Sequence, residues 1–393
     1  MTGGATLATR AVRGGVFGLL LIAAACGSGA GGGAGGSPAA IGAWVPMSAS
    51  PLSARTPGTD LWTGREVVFW GGGACKKSPC LANDVEPVAD GAAYDPAADT
   101  WRRIAASPLS PRSGMASVWT GKEVLVWGGS SGETSDADGA AYDPAADTWR
   151  TIAPSPLAGR RTTGTWTGRE LIVWGGRDFA SGDYMGDGAA YDPATDRWRM
   201  LPPAPLSPRE LRFGLTWTGT EVVAWGGGTS NEAYADGAAY DPAADRWRSL
   251  PASPLAARFA RVLWSGKELL FWGGEDWRQV FADGATLDPA TGAWRMLAAA
   301  PISARVGTMS VWTGQEMVIW GGSPGTYNNF FSDGASYDPA HDTWRAVPRW
   351  SGRNSNGVWT GREMVVWGGT VPAAAGGRDA PIEAASDGSR YRP

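Results

Sequence analysis

Short runs of apolar residues recur along most of the chain, and each run lies between glycine-containing turns. One example is residues 123–127 (EVLVW), where four successive positions are apolar. A strand with one solvated face alternates apolar and polar residues, whereas a strand covered on both faces is apolar throughout. The pattern therefore predicts short strands that are buried between other layers.

The apolar runs belong to a long internal repeat. The segment WTGREVVFWGG and its close variants occur seven times, 47 to 57 residues apart, beginning at Trp62, Trp119, Trp166, Trp217, Trp264, Trp312 and Trp359. A segment like DGAAYDPAADTWR follows each copy and begins at Asp90, Asp138, Asp187, Asp236, Asp283 and Asp333, with a shortened copy (DGSRYRP) at Asp387. Repeats of this length are typical of propellers and solenoids.

Each repeat unit predicts four short strands. The first leads to the Trp-Thr-Gly turn, the second is the apolar run, the third is GAAYD, and the fourth follows an Asp-Pro turn. Propeller blades stack face to face, which covers both faces of the second strand. The last unit stops after its third strand, and residues 44–55 (WVPMSASPLSAR) match the missing fourth. We therefore predict an all-β, seven-bladed β-propeller at residues 43–393, closed by the N-terminal strand in the last blade.

These units resemble those of the Kelch family. The shared features are a double glycine ending the second strand, a Tyr-Asp-Pro and a tryptophan across the third and fourth strands, and an arginine opening the next unit. The resemblance covers residues 43–393 and implies a Kelch-like propeller of four-stranded blades. The Trp-Thr-Gly-x-Glu turn departs from the family pattern and marks a sub-type.

One end of the predicted ring differs from blade to blade. The second-to-third and fourth-to-first connections emerge there, and we call it the variable end; the turns at the opposite end hardly change. Variation among loops on one scaffold indicates where specificity lies. Of the 23 tryptophans, 21 are repeat residues, whereas the non-repeat aromatic residues fall in variable-end loops. The candidate ligand-binding residues among them are Trp277, Trp350, Tyr184, Tyr234, Tyr327 and Phe331.

An arginine opens every unit at the variable end: Arg55, Arg112, Arg160, Arg209, Arg258, Arg305 and Arg353. In Kelch interaction modules, arginines at a similar position bind acidic partners, so the resemblance implies Arg112, Arg209 and Arg305 as further ligand-binding candidates. The alternative is pairing with the repeated aspartates, which lie at the same end. A residue present in every blade usually serves the blade itself, which favours pairing.

The candidate chemistry is sparse. The single histidine, His341, lies in a turn at the opposite end, so a zinc site, a Ser-His-Asp triad or the copper site of sugar oxidases with this fold is not expected. We expect no metal or cofactor. Carboxylates outside the repeat could still serve as acid and base if two converge at the channel mouth: Glu133, Asp178, Asp183, Glu232, Glu275 and Asp276.

The N-terminus has the layout of a signal peptide. Arg10 and Arg13 precede an apolar run at residues 14–25, which is followed by Cys26. We predict a signal peptide at residues 1–26 with lipidation of Cys26, as in bacterial lipoproteins; cleavage without a lipid is the alternative. Residues 27–42 are rich in glycine and predict a flexible tether. Both alternatives predict an extracytoplasmic protein, held on a membrane by the lipid or secreted.

Two further expectations concern cysteines and charge. Cys75 and Cys80 are predicted to form a local disulfide in the oxidising compartment, with two free thiols as the alternative. A net charge of −4 offers no basic excess for nucleic acid, and we expect a monomer.

The sequence-based function hypothesis is a non-catalytic binding module of the cell envelope that presents its variable end to a glycan or a protein. The alternative is a carbohydrate-active enzyme, a sugar mutarotase, epimerase or lyase, because such enzymes occur among extracytoplasmic Kelch propellers.

Overall fold

The computed structural model describes residues 42–76, 85–326, 329–372 and 382–393 of the chain. The predicted signal peptide, Cys26 and nearly all of the predicted tether lie outside these residues. The described residues form strands joined by turns, and none of them forms a helix that is long and apolar enough to cross a membrane.

The strands have the following bounds. Up to the end of the second repeat unit they are β1 (Trp44–Pro46), β2 (Arg55–Thr56), β3 (Thr59–Trp62), β4 (Val67–Trp70), β5 (Gly73–Cys75), β6 (Val85–Pro87), β7 (Gly91–Asp95), β8 (Thr100–Arg103), β9 (Ala116–Trp119), β10 (Val124–Trp127), β11 (Gly139–Asp143) and β12 (Thr148–Thr151). The next three units contain β13 (Gly164–Trp166), β14 (Leu171–Trp174), β15 (Gly188–Asp192), β16 (Arg197–Met200), β17 (Leu215–Trp217), β18 (Val222–Trp225), β19 (Gly237–Asp241), β20 (Arg246–Ser249), β21 (Phe259–Trp264), β22 (Leu269–Glu275), β23 (Gly284–Leu287) and β24 (Trp294–Met296). The last two contain β25 (Met309–Trp312), β26 (Met317–Trp320), β27 (Gly334–Asp338), β28 (Thr343–Val347), β29 (Val358–Trp359), β30 (Met364–Trp367), β31 (Thr370–Pro372), β32 (Ile382–Ala384) and β33 (Gly388–Tyr391).

Seven antiparallel sheets of four strands form the blades, as the repeat predicts. In blade order they are β3-β4-β7-β8, β9 to β12, β13 to β16, β17 to β20, β21 to β24, β25 to β28, and β29-β30-β33-β1. The second strand of each blade is fully buried, because a neighbouring blade covers each of its faces. This burial explains the unbroken apolar runs.

The N-terminal strand completes the seventh blade, as predicted. β1 pairs antiparallel with β33, with Trp44 opposite Tyr391 and Pro46 opposite Ser389. The innermost strands also contact one another in a closed cycle, from β3 through β9, β13, β17, β21, β25 and β29 back to β3. β1 thus covers the edge of β33 that would otherwise be unpaired in blade seven.

The repeated tryptophans hold neighbouring blades together. Trp127 and its equivalents in the second strands are buried, and the tryptophans of the fourth strands lie against them. The indole N–H of each fourth-strand tryptophan donates to a carbonyl of the preceding blade, as Trp149 does to Ala105 at 3.0 Å and Trp198 to Ala153 at 2.9 Å. These residues are structural, as their repetition predicted.

The turns opposite the variable end are tied together by repeated polar residues. Arg150 binds both carboxylate oxygens of Glu123, at 2.9 and 2.8 Å. Tyr142 donates to Asp147, which lies at a φ of 52° and also accepts from the backbone N–H of Ala105 in the preceding blade. The near-identity of these turns therefore has a structural cause.

Two additional ribbons extend the variable end of blades one and seven. β2, β5 and β6 form one of them, and β31 and β32 form the other. Cys75, in β5, is disulfide-bonded, but its predicted partner Cys80 lies outside the described residues.

Candidate functional site

The repeated arginines at the variable end are buried and paired with the repeated aspartates. All seven arginine side chains are at most 2% exposed, and each has a nitrogen 2.5 to 3.1 Å from an oxygen of its aspartate. The aspartates are 31 to 65% exposed at the surface. Arg112, Arg209 and Arg305 are therefore structural pairs covered from solvent, so the pairing that we considered the stronger alternative is present.

Tyr234 and Phe331 do not form an exposed face. Each lies two residues before a repeated aspartate, and its ring covers a buried arginine. The guanidinium carbon of Arg209 lies 4.1 Å from the centroid of the Tyr234 ring, and that of Arg305 lies 4.1 Å from the centroid of the Phe331 ring. Both rings are half-buried. Both residues lie in second-to-third loops, as the sequence places them, but their position is structural, since its backbone N–H donates to the second residue of the double glycine in every blade.

Trp350 is a packing residue, which also corrects the sequence-based interpretation. Its ring stacks on Trp44 with centroids 4.9 Å apart and lies 5.5 Å from Trp320. The Arg353 guanidinium lies 4.0 Å from the same ring. Trp350 thus belongs to the core between blades six and seven.

Trp277, in contrast, is exposed. Its side chain is 42% accessible in the loop between β22 and β23, and its N–H donates to the Thr229 carbonyl at 2.9 Å. The edge of its ring meets Phe259, and Arg212 lies 4.6 Å from its centroid. Of the remaining aromatic candidates, Tyr184 is half-buried beside Arg177, and Tyr327 lies outside the described residues.

A ring of residue pairs surrounds the mouth of the channel at the variable end. The first strand of a blade does not begin at the arginine that opens the unit, since in blade two β9 begins only at Ala116. The residue after each arginine instead bridges to the residue after the double glycine: Thr56 with Gly73, Ser113 with Ser130, Arg161 with Arg177, Glu210 with Gly228, Phe259 with Glu275, Val306 with Ser323, and Asn354 with Thr370.

Charged and aromatic side chains concentrate in blades three to five of this ring. The remaining blades carry small or uncharged residues at the bridged positions. We call the following residues the charged rim: Arg161, Arg177, Phe179, Glu210, Arg212, Phe213, Phe259, Arg261, Glu275 and Trp277.

In blade three the rim carries two neighbouring arginines. The guanidinium carbons of Arg161 and Arg177 lie 5.0 and 5.6 Å from the centroid of Phe179, which is 42% exposed. The Nε atoms of both arginines are buried and have no hydrogen-bond partner among the described residues.

In blades four and five the rim carries an ion-paired arginine. The Nη1 atom of Arg212 lies 3.2 Å from a carboxylate oxygen of Glu275, and its Nε atom lies 3.7 Å from one of Glu210. The guanidinium carbon lies 4.8 Å from the centroid of the Phe259 ring. Two carboxylates outside the repeat therefore meet at one cation, although only Glu275 was among those singled out in the sequence.

Inside the channel, Arg261 links several blades. It lies 4.1 Å from the Phe213 ring and donates to the Asn356 side chain at 3.3 Å. Burial raises the pKa of the nearby Asp60 carboxyl to about 7, although the charge of Arg261 and a hydrogen bond from Asn356 act in the opposite direction. A carboxyl that titrates near neutral pH inside a cleft is typical of functional sites.

The other carboxylates considered for catalysis do not join this group. Asp178 binds the backbone of Ala180 within its own loop at 3.1 Å, and Asp276 binds that of Gln279 at 2.9 Å. Glu133 and Glu232 are exposed on their loops, as is Asp183. His341 lies in the β27–β28 turn, where it hydrogen-bonds Asp338 at 2.7 Å.

Sequence reasoning missed Arg161, Arg177, Glu210, Arg212 and Arg261. The sequence does contain a signal for them. When the repeat units are aligned at the opening arginine and at the double glycine, only a few units have a charged residue at the positions that follow. That these positions form one ring depends on the bridges between strands, which the sequence does not display.

Comparison with known proteins agrees with the fold. A family model described as the KLHDC2/KLHL20/DRC7 Kelch-repeats domain matches residues 58–261, slightly more than half of the chain. A solved structure titled "Structure of YjhT" is similar with a TM-score of 0.58 and 14% sequence identity, over 76% of this chain and 99% of that one. The comparison with curated proteins finds no match.

Proposed function

The chain belongs to the family of Kelch-repeat β-propellers, and on this premise we propose that it is a non-catalytic binding module of the cell envelope. Its ligand, a glycan or a protein, would dock on the charged rim at the variable end. Kelch propellers typically act as interaction scaffolds, and binding residues on such scaffolds lie in the loops that vary.

The main support is a set of exposed aromatic rings in neighbouring blades. Phe179, Phe213 and Trp277 are each 42% exposed, and all three belong to the charged rim. Exposed large apolar side chains at one end of a molecule are unfavourable in water and indicate an interaction site. Aromatic rings beside arginines provide the stacking surface that sugars use and the anchors that protein interfaces use.

Backbone strain at the rim supports the same site. Arg212 and Trp277 have positive φ values of 52° and 72°, and the two side chains contact each other. Side chains at such φ values cost about 1 kcal/mol or more each, and strain of this kind clusters at functional sites. Such strain would hold the Arg212–Trp277 pair in position before a ligand arrives.

The end at which the chain enters the ring fits a membrane-anchored module. β1 begins at Trp44 beside Tyr391, the last residue of β33, so the chain enters the ring at the end opposite the rim. A lipid at Cys26 would then leave the rim facing away from the membrane and accessible to a ligand.

Ligand screening tests the proposal. The chain without residues 1–26 is applied to glycan arrays and peptide pull-downs, together with the Phe213→Ala and Trp277→Ala variants. The matched control is Met200→Ala, because Met200 is at least as exposed, at 47% against 42%, but lies in the fourth strand of blade three. We expect both rim variants to lose the ligand and the control to keep it; equal binding by all three would refute the rim as the site.

One observation favours the enzymatic alternative, a sugar isomerase or lyase. Glu210 and Glu275 converge on Arg212, as an acid and base pair would require. Nuclear magnetic resonance can measure exchange between sugar anomers with and without the protein. Faster exchange with the wild-type protein that disappears in Glu275→Gln would support an enzymatic function. No acceleration would favour the non-catalytic binding function.

A further inference from the structure

Arg161 and Arg177 differ from the repeated arginines in forming no ion pair among the described residues. Each repeated arginine has an aspartate oxygen within 3.1 Å. Among the described residues, no carboxylate oxygen lies within 4.0 Å of Arg161 or Arg177, and no hydrogen bond from either side chain is formed. Both side chains are half-buried.

The two guanidinium groups are close enough to repel each other. They contact the same Phe179 ring, and their backbones are bridged. Burial lowers the pKa of Arg161; Glu210 opposes this effect, and the charges of Arg212 and Arg177 add to it. Partly buried cations without a partner are costly, so a site that keeps two of them together suggests a missing anion.

The surrounding residues hold this pair in place. Gly114, in the preceding blade, makes room for the Arg161 side chain. A Cβ atom on residue 114 would lie 2.2 Å from the Nε of Arg161. The Phe179 backbone N–H donates to Ser135 at 2.8 Å, which fixes the ring under the guanidinium groups. Neither guanidinium group forms a hydrogen bond with the described residues, which leaves N–H groups for a ligand.

We propose that Arg161 and Arg177 bind the phosphate group of a sugar phosphate. Two guanidinium groups match a phosphate monoester, which carries a charge of about −1.5 to −2 at neutral pH and accepts several charge-assisted hydrogen bonds. A single carboxylate would leave one positive charge uncompensated. The exposed Phe179 ring beside the arginines is a surface against which the sugar ring stacks.

This inference rests on the proposed function, since it names the chemistry of one group of the rim ligand. It nevertheless has a test of its own, because the phosphate group alone is a sufficient probe. Calorimetric titration with inorganic phosphate, sulfate and acetate, at constant ionic strength, compares the wild-type chain with the Arg161→Gln/Arg177→Gln double variant. The matched control is Arg169→Gln, because Arg169 is 80% exposed in the turn opposite the variable end.

We expect phosphate and sulfate to bind the wild-type and control chains more tightly than acetate does. The double variant should bind phosphate roughly tenfold more weakly or worse, since each charge-assisted hydrogen bond is worth that factor. Gly114→Ala, which displaces Arg161 without removing charge, should also weaken phosphate binding. Equal phosphate affinity in the double variant and the control would overturn the proposal.

Melting temperature separates binding from folding. Without anions, the double variant should melt at or above the temperature of the wild-type chain, because the repulsion is gone. Phosphate should raise the melting temperature of the wild-type chain and not that of the double variant. A double variant that melts far below the wild-type chain in phosphate-free buffer would show that the arginines are structural and overturn the proposal.

Two carriers distinguish the sources of the phosphate group. Glucose 6-phosphate should bind more tightly than inorganic phosphate, and Phe179→Ala should remove that advantage. A phosphoserine peptide that binds better than the sugar phosphate would overturn the assignment to a sugar. If neutral glycans bind the charged rim and phosphate does not, this inference fails and the proposed function stands. If phosphate binds but Phe213→Ala and Trp277→Ala leave the binding of every screened ligand unchanged, the proposed function fails and the phosphate site stands.

Discussion

At the residue scale, identical residue types have different roles in this propeller. Trp350 and Trp277 both stand outside the repeat, but one stacks in the core between two blades and the other is exposed beside Arg212. Arg209 and Arg161 differ similarly, since Arg209 is paired with Asp236, whereas Arg161 forms no ion pair among the described residues. Surroundings therefore decide the role, and substitutions can separate the two classes.

The two tryptophans give the first prediction. Trp350→Ala should lower the free energy of unfolding by about 2 to 4 kcal/mol, because it leaves a cavity against Trp44 and Trp320. Trp277→Ala should change stability by less than about 1 kcal/mol and weaken ligand binding by about 1 to 3 kcal/mol. Denaturant unfolding and a binding assay on both variants measure these changes. A stability loss for Trp277→Ala as large as that for Trp350→Ala would contradict the assignment of Trp277 to the ligand site.

Asp60 gives a second prediction, on pH. Its pKa is raised from 3.8 to about 7 by burial, so the folded state binds a proton that the unfolded state has released between these values. The contribution of Asp60 to stability is therefore complete below about pH 4, falls as the pH rises to about 7, and is constant above that.

The matched variant is Asp60→Asn, which cannot titrate. The stability of the wild-type chain relative to Asp60→Asn should decrease from pH 4 to 7, as measured by chemical unfolding at several pH values. A difference that is independent of pH would mean that Asp60 has an ordinary pKa in the folded protein.

At the scale of the strand, one element carries ring closure. β1 supplies the outer strand of blade seven, and its Trp44 contacts Trp320, Trp350 and Tyr391. The N–H of Trp44 also donates to the Pro348 carbonyl of blade six at 2.9 Å. A short strand far away in the sequence thus joins the last two blades.

Removing that strand gives the third prediction. Deleting residues 43–55 should expose the edge of β33 and lower the melting temperature or cause aggregation, because an unpaired edge pairs with other chains. Deleting residues 27–41 instead is the control and should leave the melting temperature unchanged. Calorimetry and light scattering make the comparison, and a β1 deletion that melts like the control would mean that β1 does not hold the ring closed.

At the scale of the whole molecule, the ring separates two kinds of surface. The turns at one end carry the Glu123–Arg150 and Tyr142–Asp147 contacts and their equivalents, which hold each blade's own turns, and Asp147 also accepts from Ala105 of the preceding blade. The other end carries the charged rim in three neighbouring blades. The chain enters β1 at the former end, opposite the charged rim.

Anchoring gives the fourth prediction. Cys26→Ser should move the protein from the membrane fraction to the soluble fraction without changing its melting temperature, because the lipid would be lost and the propeller kept. Fractionation of cells followed by immunoblotting measures this, with Cys75→Ser as the control that keeps the lipidation site. A Cys26→Ser protein that stays in the membrane fraction would contradict lipid anchoring.

The sequence by itself determined the architecture. The spacing of the Trp-Thr-Gly segments, the apolar second strands and the match of residues 44–55 to a fourth strand predicted seven blades and the closing strand. Such features are local and repeated, so the same residues form the same interactions in every blade. The pairing of Arg112 with Asp138 was foreseen for the same reason.

Only the tertiary structure decided which non-repeat residues meet. Arg161, Glu210 and Arg261 come from three blades, and their arrangement depends on bridges and ring packing that no local pattern records. Loop position likewise did not distinguish an exposed Trp277 from a half-buried Trp350 that packs on the core, because packing is set by the neighbouring blade. A repeat specifies its own blade, whereas a binding site is formed by the differences between blades, and only closure of the ring brings those differences together.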